Sequence, residues 1–217
     1  MQVVRTWSVV LVTALAIGIS APAAAQMSRA QALKALEQPD AALRLAGVER
    51  LAEVGSMADV ERVVHRLGDT EPAIRERAAS ALWQIWSRSG DPAIDKLFAR
   101  GVAQMQASAF DEALVTFDEI VRRRPAFAEG WNKRATVYFL LGRYAESLKD
   151  VDEVLKRNRY HFGALSGAGQ IHLRLGNERQ ALEFFQRALE VNPNLEELDQ
   201  LIPMLEQRLL EKSRHTV

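Results

Sequence analysis

One internal repeat, in which Leu97 recurs as Trp131 and again as Leu165, runs from Ile94 to Leu195 and constrains this chain more than any other feature. Gly101, Ala135 and Gly169 share a second register. The same offset aligns Ala113, Ser147 and Ala181; Leu114, Leu148 and Leu182; and Phe117, Val151 and Phe185. Ile120, Val154 and Ala188 follow, then Pro125, Arg159 and Pro193, so three units run in phase without an insertion. A repeat of this length is one supersecondary unit that cannot bury its apolar faces alone, so neighbours must stack.

Each unit reads as two antiparallel helices. In the second, Trp131, Ala135, Val137, Tyr138 and Leu141 recur close to the spacing of one helix face. Gly142 ends that helix through a left-handed turn. Leu148, Val151, Val154 and Leu155 give the inward face of the next helix. The small residues 101, 135 and 169 mark the crossing of the two helices, where bulk would hold the backbones apart. Pro125 and Pro193 cannot continue a helix and mark the step to the next unit.

These residues resemble three tetratricopeptide repeats, 94–127, 128–161 and 162–195, within a segment 92–195. Trp131, Ala135, Tyr138, Gly142 and Tyr144 meet the family pattern in the second repeat; Gly169, Gly176, Ala181, Phe185, Ala188 and Pro193 meet it in the third. Arg100 and Arg134 stand where the family carries Leu, Glu178 where it carries an aromatic, and Arg159 where it carries Pro. Residues 196–217 read as an amphipathic capping helix and tail, as an open-ended stack requires.

The segment 26–91 has a shorter period of its own: Asp40-Ala-Ala-Leu-Arg aligns with Glu71-Pro-Ala-Ile-Arg, and Leu51 to Val54 with Leu82 to Ile85. Two such units resemble HEAT-like repeats. The Ser-Arg-Ser-Gly-Asp-Pro junction at 87–92 is too short for a flexible linker. The expected fold is therefore all-α: one right-handed α-solenoid of stacked antiparallel helix pairs, HEAT-like repeats followed by three tetratricopeptide repeats and a capping helix.

Composition narrows the function. With 28 Lys and Arg against 28 Asp and Glu, no net field draws the chain to nucleic acid. Absence of cysteine removes disulfides, thiolate metal sites and thiol catalysis. Residues 1–25 read as a bacterial secretory signal: Arg5, an apolar stretch from Trp7 to Ile19, and small residues Ala23 to Ala25 before a cleavage point. That stretch is short of the roughly 20 residues that span a bilayer. Cleavage after Ala25 gives a periplasmic or secreted protein with no membrane insertion, and retention of the segment as an anchor is the alternative.

No constellation of nucleophile, base and orienting acid is readable, nor a phosphate loop, and no cofactor or metal is expected. His65 and His161 read as surface or junction residues and His172 as packing between helices. Arg122, Arg123 and Arg124 close a helix, where cations complement its dipole. Trp83, Trp86 and Trp131 read as core, with Trp131→Ala expected to cost about 3–5 kcal/mol. The chain is thus expected to be a non-catalytic protein–protein interaction module. By resemblance, a concave groove for a protein or peptide partner is lined by Phe98, Val102 and Met105 in the first repeat. Asn132, Thr136 and Phe139 line it in the second, and Ser166, Gln170, Leu173 and Arg174 in the third, with Asn132 and Arg174 exposed. The alternative is a self-associating structural or accessory subunit of an envelope complex, a homo-oligomer that buries Phe98, Met105 and Phe139.

Overall fold

The computed structural model describes residues 27–214. The segment 1–25 read as a signal lies outside the described residues. Within them the chain is all-helical, with eleven α-helices and no strand. The first four are α1 (Arg29–Ala35), α2 (Ala41–Val54), α3 (Val60–Val64) and α4 (Pro72–Trp86). Six more form hairpins: α5 (Pro92–Gln106) with α6 (Phe110–Arg123), α7 (Ala128–Leu140) with α8 (Tyr144–Arg157), and α9 (Phe162–Arg174) with α10 (Glu178–Val191). α11 (Leu198–Arg214) buries Leu198 and Leu205 against α10.

The hairpins are built by size matching across the helix crossing. A Cβ on Gly101 would lie 2.7 Å from the Phe117 ring, and one on Gly169 would lie 2.4 Å from the Phe185 ring. In the second hairpin the facing residue is Val151, and there Ala135 is tolerated in the shared core. Each phenyl ring thus demands a glycine opposite, while the smaller valine leaves room for a methyl group. The hairpin turns are equally periodic. Gly142 and Gly176 adopt φ of 72° and 75°, and Ser108, one period earlier, is held at φ 57° without the freedom of glycine.

Arginines reveal a second internal symmetry, in the N-terminal helices. Arg44 Nη1 donates to the carbonyls of Gln38 and Pro39, and Arg75 Nη1 donates to those of Asp69 and Thr70, the same positions one period on. Arg44 then reaches forward to Asp69 with two 2.8 Å bonds. Arg75 reaches instead to Asn194, in the loop after α10.

That last contact shows where the N-terminal helices sit. Rather than meeting only the first hairpin, they lie alongside the loops that join successive hairpins. Tyr160, Phe162, Val191 and Leu195 share a core with residues of α1–α4. Trp86 stacks on His161 with centroids 4.5 Å apart, and Trp83 meets Phe162 edge-on at 5.5 Å. A side chain on Gly163 would come within 2.6 Å of the Trp83 ring, so glycine is required for this contact. The Tyr160 hydroxyl donates to Glu61 at 2.7 Å, and Asn194 Nδ2 donates to Leu67 O at 2.8 Å. The 87–92 junction is pinned: Arg88 donates to Ala52 O and Gly55 O, while Ser89 donates through its amide and hydroxyl to Asp95.

Candidate functional site

Between α7 and α9 lies a cavity of about 270 Å³, lined by Asn132, Thr136 and Phe139 from one helix and Ser166 and Gln170 from the other. Arg174 lies against one of these lining residues, its guanidinium 5.7 Å from the Phe139 ring centroid. Most of its lining groups already have local partners. Thr136 Oγ1 donates to Asn132 O, and Asn132 Nδ2 donates to Glu129. Ser166 Oγ is buried with no hydrogen-bond partner among the described residues, which leaves one hydroxyl in the wall for a ligand. Gln170 and Arg174 are exposed.

The remaining groove positions lie elsewhere. Phe98 is only 8% exposed and packs on Phe117 and Phe127, with centroids at 6.2 and 5.4 Å. It belongs to the core of the first hairpin and offers a ligand little surface. Val102 and Met105 are half-buried against that same cluster, and Leu173 against the cluster of the third hairpin. The structure therefore brings together the second-repeat positions with Ser166, Gln170 and Arg174 of the third, without Leu173 or the first repeat. Asn132, expected to be exposed, is 8% exposed, because its amide turns inward to Glu129.

Beneath the groove sits a polar cluster that sequence reasoning missed. Glu129 is fully enclosed, and its carboxylate meets His161 Nε2 at 2.8 Å, Asn132 Nδ2 at 3.0 Å and Lys133 Nζ at 3.2 Å. The Ala164 amide donates to His161 Nδ1, so that nitrogen carries no proton and Nε2 is the donor to Glu129. Burial pushes the Glu129 carboxyl up, but the His161 hydrogen bond and the nearby charges outweigh it and hold it below the ordinary carboxylate range. A signal was present in the register. His161 occupies the position of Phe127 and Leu195, both packed in apolar clusters, so a histidine there must find an internal partner.

Trp131 also departs from expectation. It is half-buried, clasped between the guanidinium groups of Arg134 and Arg157 at 4.9 and 4.8 Å, with its indole N–H donating to Pro125 O. The departures from the repeat pattern have partners of their own. Arg134 holds Asp150 through two bonds and Asp118 through a third, which pulls its already high pKa further up. Burial pushes the Asp150 carboxyl up despite Arg134. Glu178 binds Lys212 of α11, and Arg159 engages Tyr160 and Glu61. Arg100 is exposed.

A stack of helical hairpins with one grooved face defines a class of repeat protein, and comparison with known sequences specifies it. Residues 127–194 match the family model of the tetratricopeptide repeat. A TPR repeat-containing protein of Rhizobium etli is 33% identical over 141 residues, which cover 65% of this chain and 69% of that protein. The chain belongs to the tetratricopeptide repeat family. The Hsp70-Hsp90 organizing protein of Triticum aestivum is 27% identical over 135 residues, 62% of this chain but only 23% of its own length. Among solved structures, the first TPR of Spaghetti (RPAP3) bound to an HSP90 peptide superposes with a TM-score of 0.51 at 24% identity, covering 54% of this chain and 93% of that one. That likeness is one of fold.

Proposed function

We propose that this protein is a non-catalytic adaptor of the bacterial periplasm or cell envelope, one that holds an extended peptide or helix of a partner protein between α7 and α9. The observation that carries this reading is the α7–α9 cavity. Its wall combines an aromatic ring, an unpartnered hydroxyl and an exposed amide, with the Arg174 cation against the ring, the chemistry of peptide capture without that of bond breaking. The one enclosed carboxylate near it, Glu129, is engaged by three side chains and is not presented to a ligand. A structural neighbour that is bound to a peptide, the TPR of Spaghetti, supports the same mode of use. The pattern of residues 1–25 supports the compartment, and the paired roles of Arg44 and Arg75 support a HEAT-like reading of 26–91. Self-association through Phe98, Met105 and Phe139 loses its first anchor to the core.

The test is crosslinking in cells, then affinity capture from the envelope fraction, comparing the natural protein with the double variant Gln170→Ala, Arg174→Ala. Both side chains are exposed, so stability should stay within about 0.5 kcal/mol while capture falls. Capture unchanged by the double variant would remove the α7–α9 groove as the binding face. Protease accessibility in spheroplasts, set against a cytosolic marker, checks the compartment independently.

A further inference from the structure

A second cavity, of about 300 Å³, lies where the N-terminal helices meet the two inter-hairpin loops, away from the groove. Every charged residue that lines it is an arginine: Arg88, Arg124 and Arg157. Trp86, Phe127 and Met57 supply apolar walls. In a chain of zero net charge, where about half of the arginines among the described residues are paired to acids, three arginines around one cavity are a local concentration of positive charge. Arg157 is paired with Glu153. Arg88 is held by two backbone carbonyls, and burial pulls its pKa down against the attraction of the nearby Asp95 carboxylate. Arg124 is exposed, and its guanidinium has no partner among the described residues.

The unmet hydrogen-bonding capacity points the same way. Trp86 is 2% exposed and its indole N–H is buried without an acceptor among the described residues. The cavity shares Met57 and Arg157 with a neighbouring one of about 360 Å³, whose lining includes Asn158 and Arg159. Asn158 is 3% exposed and its Nδ2 is likewise buried without an acceptor. Glu61 is the one acid in that second lining, and it is engaged by Tyr160 and Arg159. Every unmet group along the cleft is a donor or a cation, so a complementary ligand supplies acceptors and negative charge.

We infer that this cleft is a second binding site, taking an acidic peptide segment with an apolar side chain among its carboxylates. A bare inorganic anion would leave the walls of Trp86, Phe127 and Met57 unused, and a single small acid would fill one of the two joined cavities. The segment lies against both the N-terminal helices and the repeats, so occupancy joins the two parts of the molecule more tightly.

The experiment uses the full chain and a fluorescein-labelled peptide of alternating Glu and Phe, followed by anisotropy and by the indole N–H resonances of the protein. The expected result is saturable binding that shifts the Trp86 indole resonance. Arg124→Glu weakens binding about tenfold or more, as loss of a charge-assisted contact predicts. Arg179→Glu, an exposed cation on α10 outside the cleft, leaves binding unchanged. The Gln170→Ala, Arg174→Ala variant also retains it, which separates this site from the α7–α9 groove. Equal loss in Arg124→Glu and Arg179→Glu, equal binding of a Gln-for-Glu peptide, equal binding of tripolyphosphate, or an unmoved Trp86 resonance would each overturn the proposal.

Discussion

The hairpins from Pro92 to Val191 and the helices from Arg29 to Trp86 bury helix faces by different means. In the hairpins the rule is local and apolar: a residue on one helix sets the size allowed on its neighbour, and the rule recurs from one hairpin to the next. In the N-terminal helices directed polar bonds hold the chain. Asp69, almost fully buried, receives Arg44 at 2.8 Å and Arg66 at 3.3 Å, and Asp59 receives Arg29. The contacts joining the two regions combine both means, with Trp86 stacked on His161, Trp83 edge-on to Phe162, and Asn194 bonded to Leu67 and Arg75. Size matching within one repeat tolerates repetition, whereas a polar staple specifies one partner at one place.

Trp86→Ala should break the comparison most severely. It removes a buried ring that stacks on His161, at a cost of about 3–5 kcal/mol. Hydrogen exchange should show α1–α4 losing protection before α7–α10; uniform loss would mean the two regions unfold as one unit. Gly169→Ala tests the size rule directly. The new methyl group would press on the Phe185 ring and cost about 1–3 kcal/mol in urea denaturation. Adding Phe185→Val, which reproduces the Ala135–Val151 pairing of the second repeat, should recover part of that loss; no recovery would reject the rule.

The polar staple is tested by pH. The Arg44 hydrogen bonds, with help from the Glu71 amide and nearby cations, hold the Asp69 carboxyl at about 2, against an ordinary 3.8. A pKa lower in the folded state means that the contribution, about 2 kcal/mol, is present above 3.8 and is lost as the pH falls toward 2. Asp69→Asn should therefore be less stable at neutral pH and should show a flatter stability profile through that acid window. A parallel acid profile for the variant would show that other carboxylates control the transition. The smallest effect is expected at Ser108. Replacing it by glycine, as its counterparts Gly142 and Gly176 suggest, relieves a left-handed backbone and should stabilise the protein by about 0.5–1 kcal/mol. A loss of stability on thermal melting would show that the Ser108 side chain has a use in the turn.

Legibility in the sequence followed the reach of each interaction. Gly101, Ala135 and Gly169 could be placed at helix crossings because their partners, Phe117, Val151 and Phe185, lie on the very next helix. Gly142 could be placed in a left-handed turn because a hairpin turn is set by its own few residues. The groove was half legible. Thr136, Phe139, Ser166, Gln170 and Arg174 came together, while Phe98 was drawn inward by Phe117 and Phe127, and Asn132 by Glu129. The inward turn of Asn132 depends on a carboxylate whose burial no periodic pattern announces. Trp131 likewise looked like core from its register, and only the placement of Arg134 and Arg157 shows it clasped between cations near the surface.

By itself, then, the sequence determined the hairpin unit, its length, its turns and the order of stacking, because each rests on contacts within one or two repeats. The tertiary structure decided where α1–α4 lie, which polar residues are enclosed and where a cleft opens. Those features depend on distant pairs: Arg75 with Asn194 and Asn194 with Leu67, whose sequence separations are 119 and 127, and Trp86 of α4 with His161 at the start of α9. Such pairs meet only after the repeats have stacked, since the stack brings the two inter-hairpin loops and the loop after α10 to one edge and offers α4 an aromatic and polar surface to dock on.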